Sequence, residues 1–368
     1  MPARTTQTVE VESLTDFDRL VAHGATRMHG WRVQGVDLRS RTSDLRRLDP
    51  AGAILLGVAV DDETEKHLRS GGALVFPRIP ALPFDPYRGE LYSPAELYAG
   101  IETSYEQTPD AQIYAWSRGS GHDLANHLAR ALHDHAIDDA LAEHVADRAT
   151  VGVMGGHAWA RDDPRYADAA QLGQRAARAG LTVATGGGPG AMEAANLGAY
   201  LADAGHGALD DALETLRGAV SFSSSIAAWA RSAMDVRRRW PHGRDSIGIP
   251  TWHYGHEPPN AFASSVAKYF QNSLREDTLL RFCQAGIVFL PGAAGTVQEV
   301  FQDACENYYA AVEAVAPMVL VGETYWTETV PAWPLLERLA QHRPMADAIH
   351  LVDSVDEALG LLEVSIRR

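Results

Sequence analysis

"AGIVFLPGAAGTVQEVFQDA" occupies Ala285–Ala304. Its opening run, Gly-Ile-Val-Phe-Leu, has the length and composition of a strand buried on both faces. The chain leaves that run through "LPGAAGTVQE", Leu290–Glu299, and continues as "EVFQDACENYYAAVEAV", which has helical spacing. A glycine-rich turn from strand to helix leaves backbone N–H groups unsatisfied at the helix N-terminus, a setting that suits an anion. Glu299 then places a carboxylate on the first turn, where it would repel a bound phosphate. The two features agree if the ligand carries a phosphate at one end and needs a carboxylate at the other.

The same scheme occurs twice upstream. "TVGVMGG" (Thr150–Gly156) reads as a short buried strand ending in Gly155 and Gly156, and "YADAAQLGQRAARAG" as a helix stopped by Gly180. "LTVATGGGPGAMEAANLGAYLA" is a second strand, a turn with Gly187, Gly188, Gly190 and Met192, and a second helix. "SIGIP", "PMVLVG" and "IHLVD" read as further strands, with helices around "AWPLLERLAQ" and "SVDEALGLLEV". Strands alternating with helices predict an α/β fold, a doubly wound, Rossmann-like parallel sheet with its ligand at the carboxyl ends of the strands. One glycine turn merely closes a loop; three in one sheet predict a backbone-lined crevice for a nucleotide.

The division expected is 1–148, an N-terminal extension domain of mixed short strands and helix, and 149–368, the nucleotide-binding domain. An insertion over about 203–245 carries Arg231, Arg237, Arg238, Arg239 and Arg244, either a solvated face or a basic lid over the phosphate. In the N-terminal region "GGALVFPRIPALPFDPYRGELYSP" reads as an ordered, aromatic-packed loop, and "HDLANHLARALHDHAIDDALAEHVADRA" as an amphipathic helix. No internal repeat of fixed period is evident.

Composition narrows the function. Of 368 residues 46% are hydrophobic and 22% charged, which is ordinary for a globular chain. The formal charge of -16 argues against a nucleic acid partner without excluding a small phosphate ligand in a local pocket. The start of the chain, with no basic region before an apolar run, predicts no signal peptide, and no run is long enough to span a bilayer. The two cysteines, Cys283 and Cys305, are expected to be buried small hydrophobes of a cytoplasmic protein. In the run with His133, His135, Asp138 and Asp139, His135 and Asp139 share a helix face that could bind a metal, but with no third convergent ligand helix-surface or inter-domain packing is the better reading; no metal and no cofactor are expected. Gly186, Gly188 and Ala191 satisfy a loose G-x-G-x-x-A dinucleotide fingerprint. The short second strand ending in an acid about twenty residues on is missing there, which disfavours an NAD(P)-type site.

These segments carry a family resemblance. "VGVMGGHAW…YADAAQLGQRAARAGLTVATGGGPGAMEAAN" with "SLREDTLLRFCQAGIVFLPGAAGTVQE" resembles the LOG (Lonely Guy) phosphoribohydrolases and the related bacterial nucleotide 5'-monophosphate nucleosidases, long misnamed lysine decarboxylases. The family pattern P-G-G-x-G-T-x-x-E falls on Pro291, Gly292, Gly295, Thr296 and Glu299, with Ala293 at its second glycine. The family arginine falls on Arg275, followed by Glu276 where a basic residue is usual. "HEPPNAF" resembles the His-Glu-x-x-Pro-Asn stretch of the larger nucleosidases and adds His256 and Asn260.

The resemblance implies a homodimeric enzyme hydrolysing the base–ribose bond of a nucleoside 5'-monophosphate to free base and ribose 5-phosphate. Gly292, Ala293, Ala294, Gly295 and Thr296 would hold the phosphate. Glu299 would face the sugar cation and Arg275 would pin the substrate or assist the departing base. Small residues in "EAANLGAYLADAG" offer a pairing helix. The rival reading is a non-catalytic nucleotide sensor on the same fold.

Overall fold

The computed structural model describes residues 8–119, 123–253 and 257–366. The chain forms two compact units, Met1–Glu90 with Gly121–Ala140, and Leu91–Ser120 with Leu141–Arg368. The second unit thus takes in Leu91–Ser120, a stretch that the sequence reading placed in the N-terminal region.

In the first unit four strands, β1 (Val9–Val11), β2 (Trp31–Gln34), β3 (Ile54–Leu56) and β4 (Leu74–Phe76), pair in parallel and in sequence order. Val11, Val33, Leu55 and Val75 point into a core with Phe17, Trp31, Leu45 and Leu68. The structure corrects the expectation that the chain has no repeat. "GWRVQGVDL" (Gly30–Leu38), "GAILLGVAV" (Gly52–Val60) and "GALVFPRIP" (Gly72–Pro80) are stacked coils in one register, Val33 on Leu55 on Val75. Gly30, Gly52 and Gly72 open the three strands at φ of 78°, 78° and 92°, a backbone conformation that glycine alone adopts without strain. Only these turn positions and the buried alternation recur, which is why the signal is faint in sequence.

The second unit is built on seven parallel strands: β5 (Thr150–Met154), β6 (Thr182–Thr185), β7 (Ile247–Gly248), β8 (Ser265–Val266), β9 (Ile287–Phe289), β10 (Met318–Val321) and β11 (Ile349–Val352). Their order is β11-β10-β9-β5-β6-β7-β8. From β5 the chain steps outward through β6, β7 and β8, and from β9 it steps the other way. Right-handed crossovers then place the two sets of helices on opposite faces. The helix Pro164–Arg178 packs on the helix Val355–Ile366, and the helix Asn272–Phe282 on the helix Ala294–Tyr309. Residues of β5, β9 and β10 are buried throughout, as a sheet covered on both faces requires.

Local chemistry sets the helix ends. The side chain of Asp163 caps the helix Pro164–Arg178, with Pro164 at its first turn, and Gly180 at φ 90° ends it. Gly173 and Gly198 let that helix and the helix Ala191–Tyr200 meet backbone to backbone. A Cβ on Gly198 would stand 1.7 Å from the Ala170 carbonyl oxygen, and one on Gly173 2.0 Å from that of Ala195. All ten residues of the helix Ala191–Tyr200 except the half-buried Met192 are buried within this unit. The small residues expected to pair two subunits therefore pack inside the chain instead.

The insertion is helical, as expected, over Ala208–Leu216 and Ile226–Arg239, and Leu213, Leu216, Trp229 and Val236 seat it on the core. Cys283 is buried as expected, but Cys305 is exposed, because it lies on the outer face of the helix Ala294–Tyr309. His133 is buried beside Asp134 and edge-on to Phe84, and Asp139 is paired with Arg32. Among the described residues no helix is long and apolar enough to cross a membrane.

Candidate functional site

The strand order reverses between β5 and β9, and there the turns leaving β5, β6 and β9 diverge around a crevice of about 450 Å³. A parallel sheet opens a ligand site at such a switch point. Of the residues expected from sequence, Gly155, Gly188, Met192, Arg275, Ala293, Ala294, Gly295, Thr296 and Glu299 line this crevice.

The other glycines act one layer back. Gly156 donates its N–H to the Pro291 carbonyl and accepts from Ala191. A Cβ on Gly155 would stand 2.2 Å from the Leu290 carbonyl oxygen, and one on Gly190 2.3 Å from that of Gly156. The three turns therefore interlock, each glycine passing another turn's backbone at a distance no side chain allows. Gly187, at φ 70°, packs on Pro250 and Ile249. Gly292 lies against Thr296, whose Oγ1 would be 2.2 Å from an added Cβ, and its carbonyl accepts from the Tyr325 hydroxyl at 2.5 Å.

Asn260 is fully buried and braces the second turn rather than lining the crevice. Its N–H donates to the Gly187 carbonyl at 2.8 Å and its Nδ2 to that of Gly188 at 3.2 Å. Its Oδ1 accepts from the Phe262 and Ala263 N–H groups. His256 lies outside the described residues.

The helix Ala294–Tyr309 begins after Ala293, whose φ is -88°. Alanine at the motif's second glycine is thus unstrained. No side chain caps this helix, so its first N–H groups face the crevice end of the turn. Glu299 lies on the second turn rather than the first, where the sequence reading put it, because the helix begins only at Ala294; there it meets Arg275, which donates from Nη1 to Oε1 at 3.2 Å, and both side chains are nearly buried. Burial raises the Glu299 pKa above the usual carboxylate range, while the Arg275 guanidinium opposes the shift. Arg275 Nε is buried without a hydrogen-bond partner among the described residues. The pair is a carboxylate and a guanidinium held in one wall, with donor capacity unused.

The crevice also has residues that the sequence reading did not assign: His157, Thr251, Glu257, Glu276 and Gln298. Glu276 is held by Asn272 Nδ2 and Gln298 Nε2, each at 2.6 Å, and His157 Nε2 lies 3.6 Å from Glu257 Oε1. Glu257 follows His256 in the "HEPPN" stretch, and His157 follows Gly156, so both were adjacent to residues already singled out. None of Arg237, Arg238 or Arg239 lines the crevice. Arg237 bonds the Ala261 carbonyl, Arg238 pairs with Asp235, and Arg239 with Asp211, which removes the support for a basic lid.

Sheet order and the switch-point crevice define a Rossmann-like, doubly wound α/β fold. The model of the SLOG cluster4 family matches residues 148–207, and the SLOG superfamily includes LOG-type proteins. No curated protein matches the sequence. Similar solved structures include a molybdenum cofactor binding protein from Rippkaea orientalis, at 18% identity and TM-score 0.37, covering 60% of this chain and 98% of that one. The molybdenum cofactor carrier protein MCP from Chlamydomonas reinhardtii is similar at 17% identity and TM-score 0.38, covering 60% and 99%. A third is TM1055, at 20% identity and TM-score 0.36, covering 58% and 98%. Likeness of this degree carries nothing about what the present chain binds.

Proposed function

We propose that the chain is a nucleoside 5'-monophosphate N-glycosidase, its catalytic machinery lying within 149–368. The observation that carries this reading is the placement of an uncapped helix N-terminus and the Arg275–Glu299 pair in one crevice. The phosphate accepts hydrogen bonds from the N–H groups of Ala293–Thr296 and from the Thr296 hydroxyl. The ribose then extends along the helix toward Glu299. As the bond from C1' to the base breaks, positive charge gathers on the sugar, as in other glycoside hydrolyses. Ionised Glu299 stabilises that charge and accepts a proton from the water that attacks C1'. Arg275, with donors to spare, orients the substrate and hydrogen-bonds the departing base, which takes its proton from solvent water, while the proton that Glu299 accepted returns to solvent.

One observation favours a binding protein without turnover. Glu276 stands in the crevice where the resemblance expects a basic residue, so the lining has three carboxylates, Glu257, Glu276 and Glu299, beside the guanidinium of Arg275, a charge pattern that departs from that of the hydrolases. Incubation with AMP, GMP, CMP and UMP, with free base quantified by chromatography, separates the two. Released base with equimolar ribose 5-phosphate supports the enzyme; saturable binding with no base released rejects it in favour of the binding protein without turnover. We also propose a cytosolic homodimer. Its pairing surface includes Tyr309, Val312, Leu335 and Leu339, large apolar side chains exposed on this unit. A monomeric mass by light scattering at micromolar concentration would reject the dimer.

A further inference from the structure

A second hollow, of about 340 Å³, opens in the same unit between the segment 95–102 and the helix Ile226–Arg239. Its walls are apolar at Ile101, Met234 and Pro241 and aromatic at Tyr98 and Tyr200. Arg237 lies in it, with its guanidinium 4.6 Å over the Tyr200 ring and Nη1 donating to the Ala261 carbonyl at 2.8 Å. Among the described residues no carboxylate pairs with Arg237. The charged groups that face it are Glu102 and Arg238 at the rim, and these two are engaged with each other at 3.5 Å. Arg238 also takes Asp235, and Arg231 approaches Glu102 at 3.9 Å. A largely buried guanidinium is normally matched by an anion, because desolvation otherwise goes uncompensated. Burial lowers its pKa accordingly.

The hollow adjoins the crevice through three consecutive residues. The Tyr98 hydroxyl donates to the Pro259 carbonyl and Arg237 donates to the Ala261 carbonyl. Asn260, between them, holds the Gly187 and Gly188 carbonyls of the crevice turn. Two lining residues of one cavity thus grip both neighbours of the residue that braces the other.

We propose that this hollow is a second ligand site, for a small organic anion, a carboxylate or phosphate monoester on a planar or apolar body. The anion pairs with Arg237 and its body packs on Tyr98, Tyr200 and Met234. Because the anion competes with the Ala261 carbonyl for the guanidinium, its binding is transmitted to the crevice turn through Asn260. The site does not depend on the crevice being hydrolytic.

The test is fluorine NMR on the full chain with two probes, para-fluorobenzoate and para-fluorophenyl phosphate, which tell carboxylate from phosphate. At least one should bind saturably to the wild type. Arg237→Met should weaken it at least about tenfold, and Met234→Trp, which fills the hollow and spares the guanidinium, should do the same. Thr296→Ala, which alters the crevice, should leave that binding unchanged. Binding that survives both hollow variants, or is lost only in Thr296→Ala, would assign the probe to the crevice and overturn the proposal. So would no saturable binding to wild type at roughly 10 mM. Amide signals of Gly187 and Gly188 that do not shift with a bound probe would overturn the transmission to the crevice.

Discussion

Both units of this chain are parallel sheets with helices in the connections, and the crevice that gathers Arg275 and Glu299 lies at the strand ends of the second. In the first unit the strands follow one another, β1 to β4, and every connection moves in the same direction. Neighbouring turns then stack on one another, and nothing separates them. In the second the order turns back between β5 and β9, so two adjacent strands send their chains to opposite faces and the turns part. Glycine follows the same division. In the first unit it recurs at corresponding corners, Gly30, Gly52 and Gly72, to stack coils. In the second it lets turns pass within contact of one another's backbone at Gly155, Gly190 and Gly292. Sheet order, rather than strand chemistry, separates turns that stack from turns that part around a crevice.

That contrast can be broken most severely at Glu299. Under the proposed hydrolysis, Glu299→Gln keeps the size and removes the charge assigned to the sugar cation, and turnover should fall by roughly two to four orders of magnitude with nucleotide binding retained. Thr296→Ala should show the opposite pattern, weakening binding by about 1.5–3 kcal/mol through loss of a charge-assisted hydrogen bond. Calorimetric titration beside a base-release assay separates the two, and a wild-type rate in folded Glu299→Gln would remove the carboxylate from the mechanism. Since burial raises its pKa, the acid limb of the rate profile should lie above the usual carboxylate range.

Gly198→Val asks whether the second unit depends on close helix approach. The added side chain would drive into the Ala170 carbonyl, and about 3 kcal/mol or more of stability should be lost in thermal or urea unfolding. An unfolding midpoint equal to wild type would mean that these helices can part freely.

Asp303 tests the interior behind Glu299. It lies one helical turn further on, buried, with Oδ2 unpartnered among the described residues, and burial puts its carboxyl well above the usual range. The folded state therefore holds a proton that the unfolded state releases. Stability should fall by about 1.4 kcal/mol per pH unit as pH rises above the ordinary carboxylate value, until the folded pKa is reached. Asp303→Asn should abolish that slope, gaining stability at pH 7 and none near pH 3; an unchanged slope would mean that the carboxyl is ionised.

The smallest effect is expected in the repeat. Gly35 has φ 67°, and an added Cβ would meet the Tyr87 carbonyl oxygen at 3.9 Å, an ordinary contact, so Gly35→Ala should cost only the left-handed backbone, about 1 kcal/mol. A loss as large as that of Gly198→Val would show that the coil corners are as tightly packed as the helix contact.

By itself the sequence determined what is local. Apolar runs of strand length followed by glycine turns and helical spacing specify βα units, because backbone propensity and burial act within a few residues. The motif from Pro291 to Glu299 likewise placed uncapped helix N–H groups at one helix end and a carboxylate one turn further on. Only the tertiary structure decided what depends on partners far along the chain. It put Arg275 on Glu299 across 24 positions, set Asn260 behind the Gly187–Gly188 turn, and brought Glu257 and Glu276 into the crevice. It also turned the small residues of Ala191–Tyr200 inward to a neighbouring helix and stacked three coils whose sequences share little but glycine corners and buried alternation. Burial is a property of the neighbours that arrive, and their arrival is fixed by sheet order, which no single segment encodes.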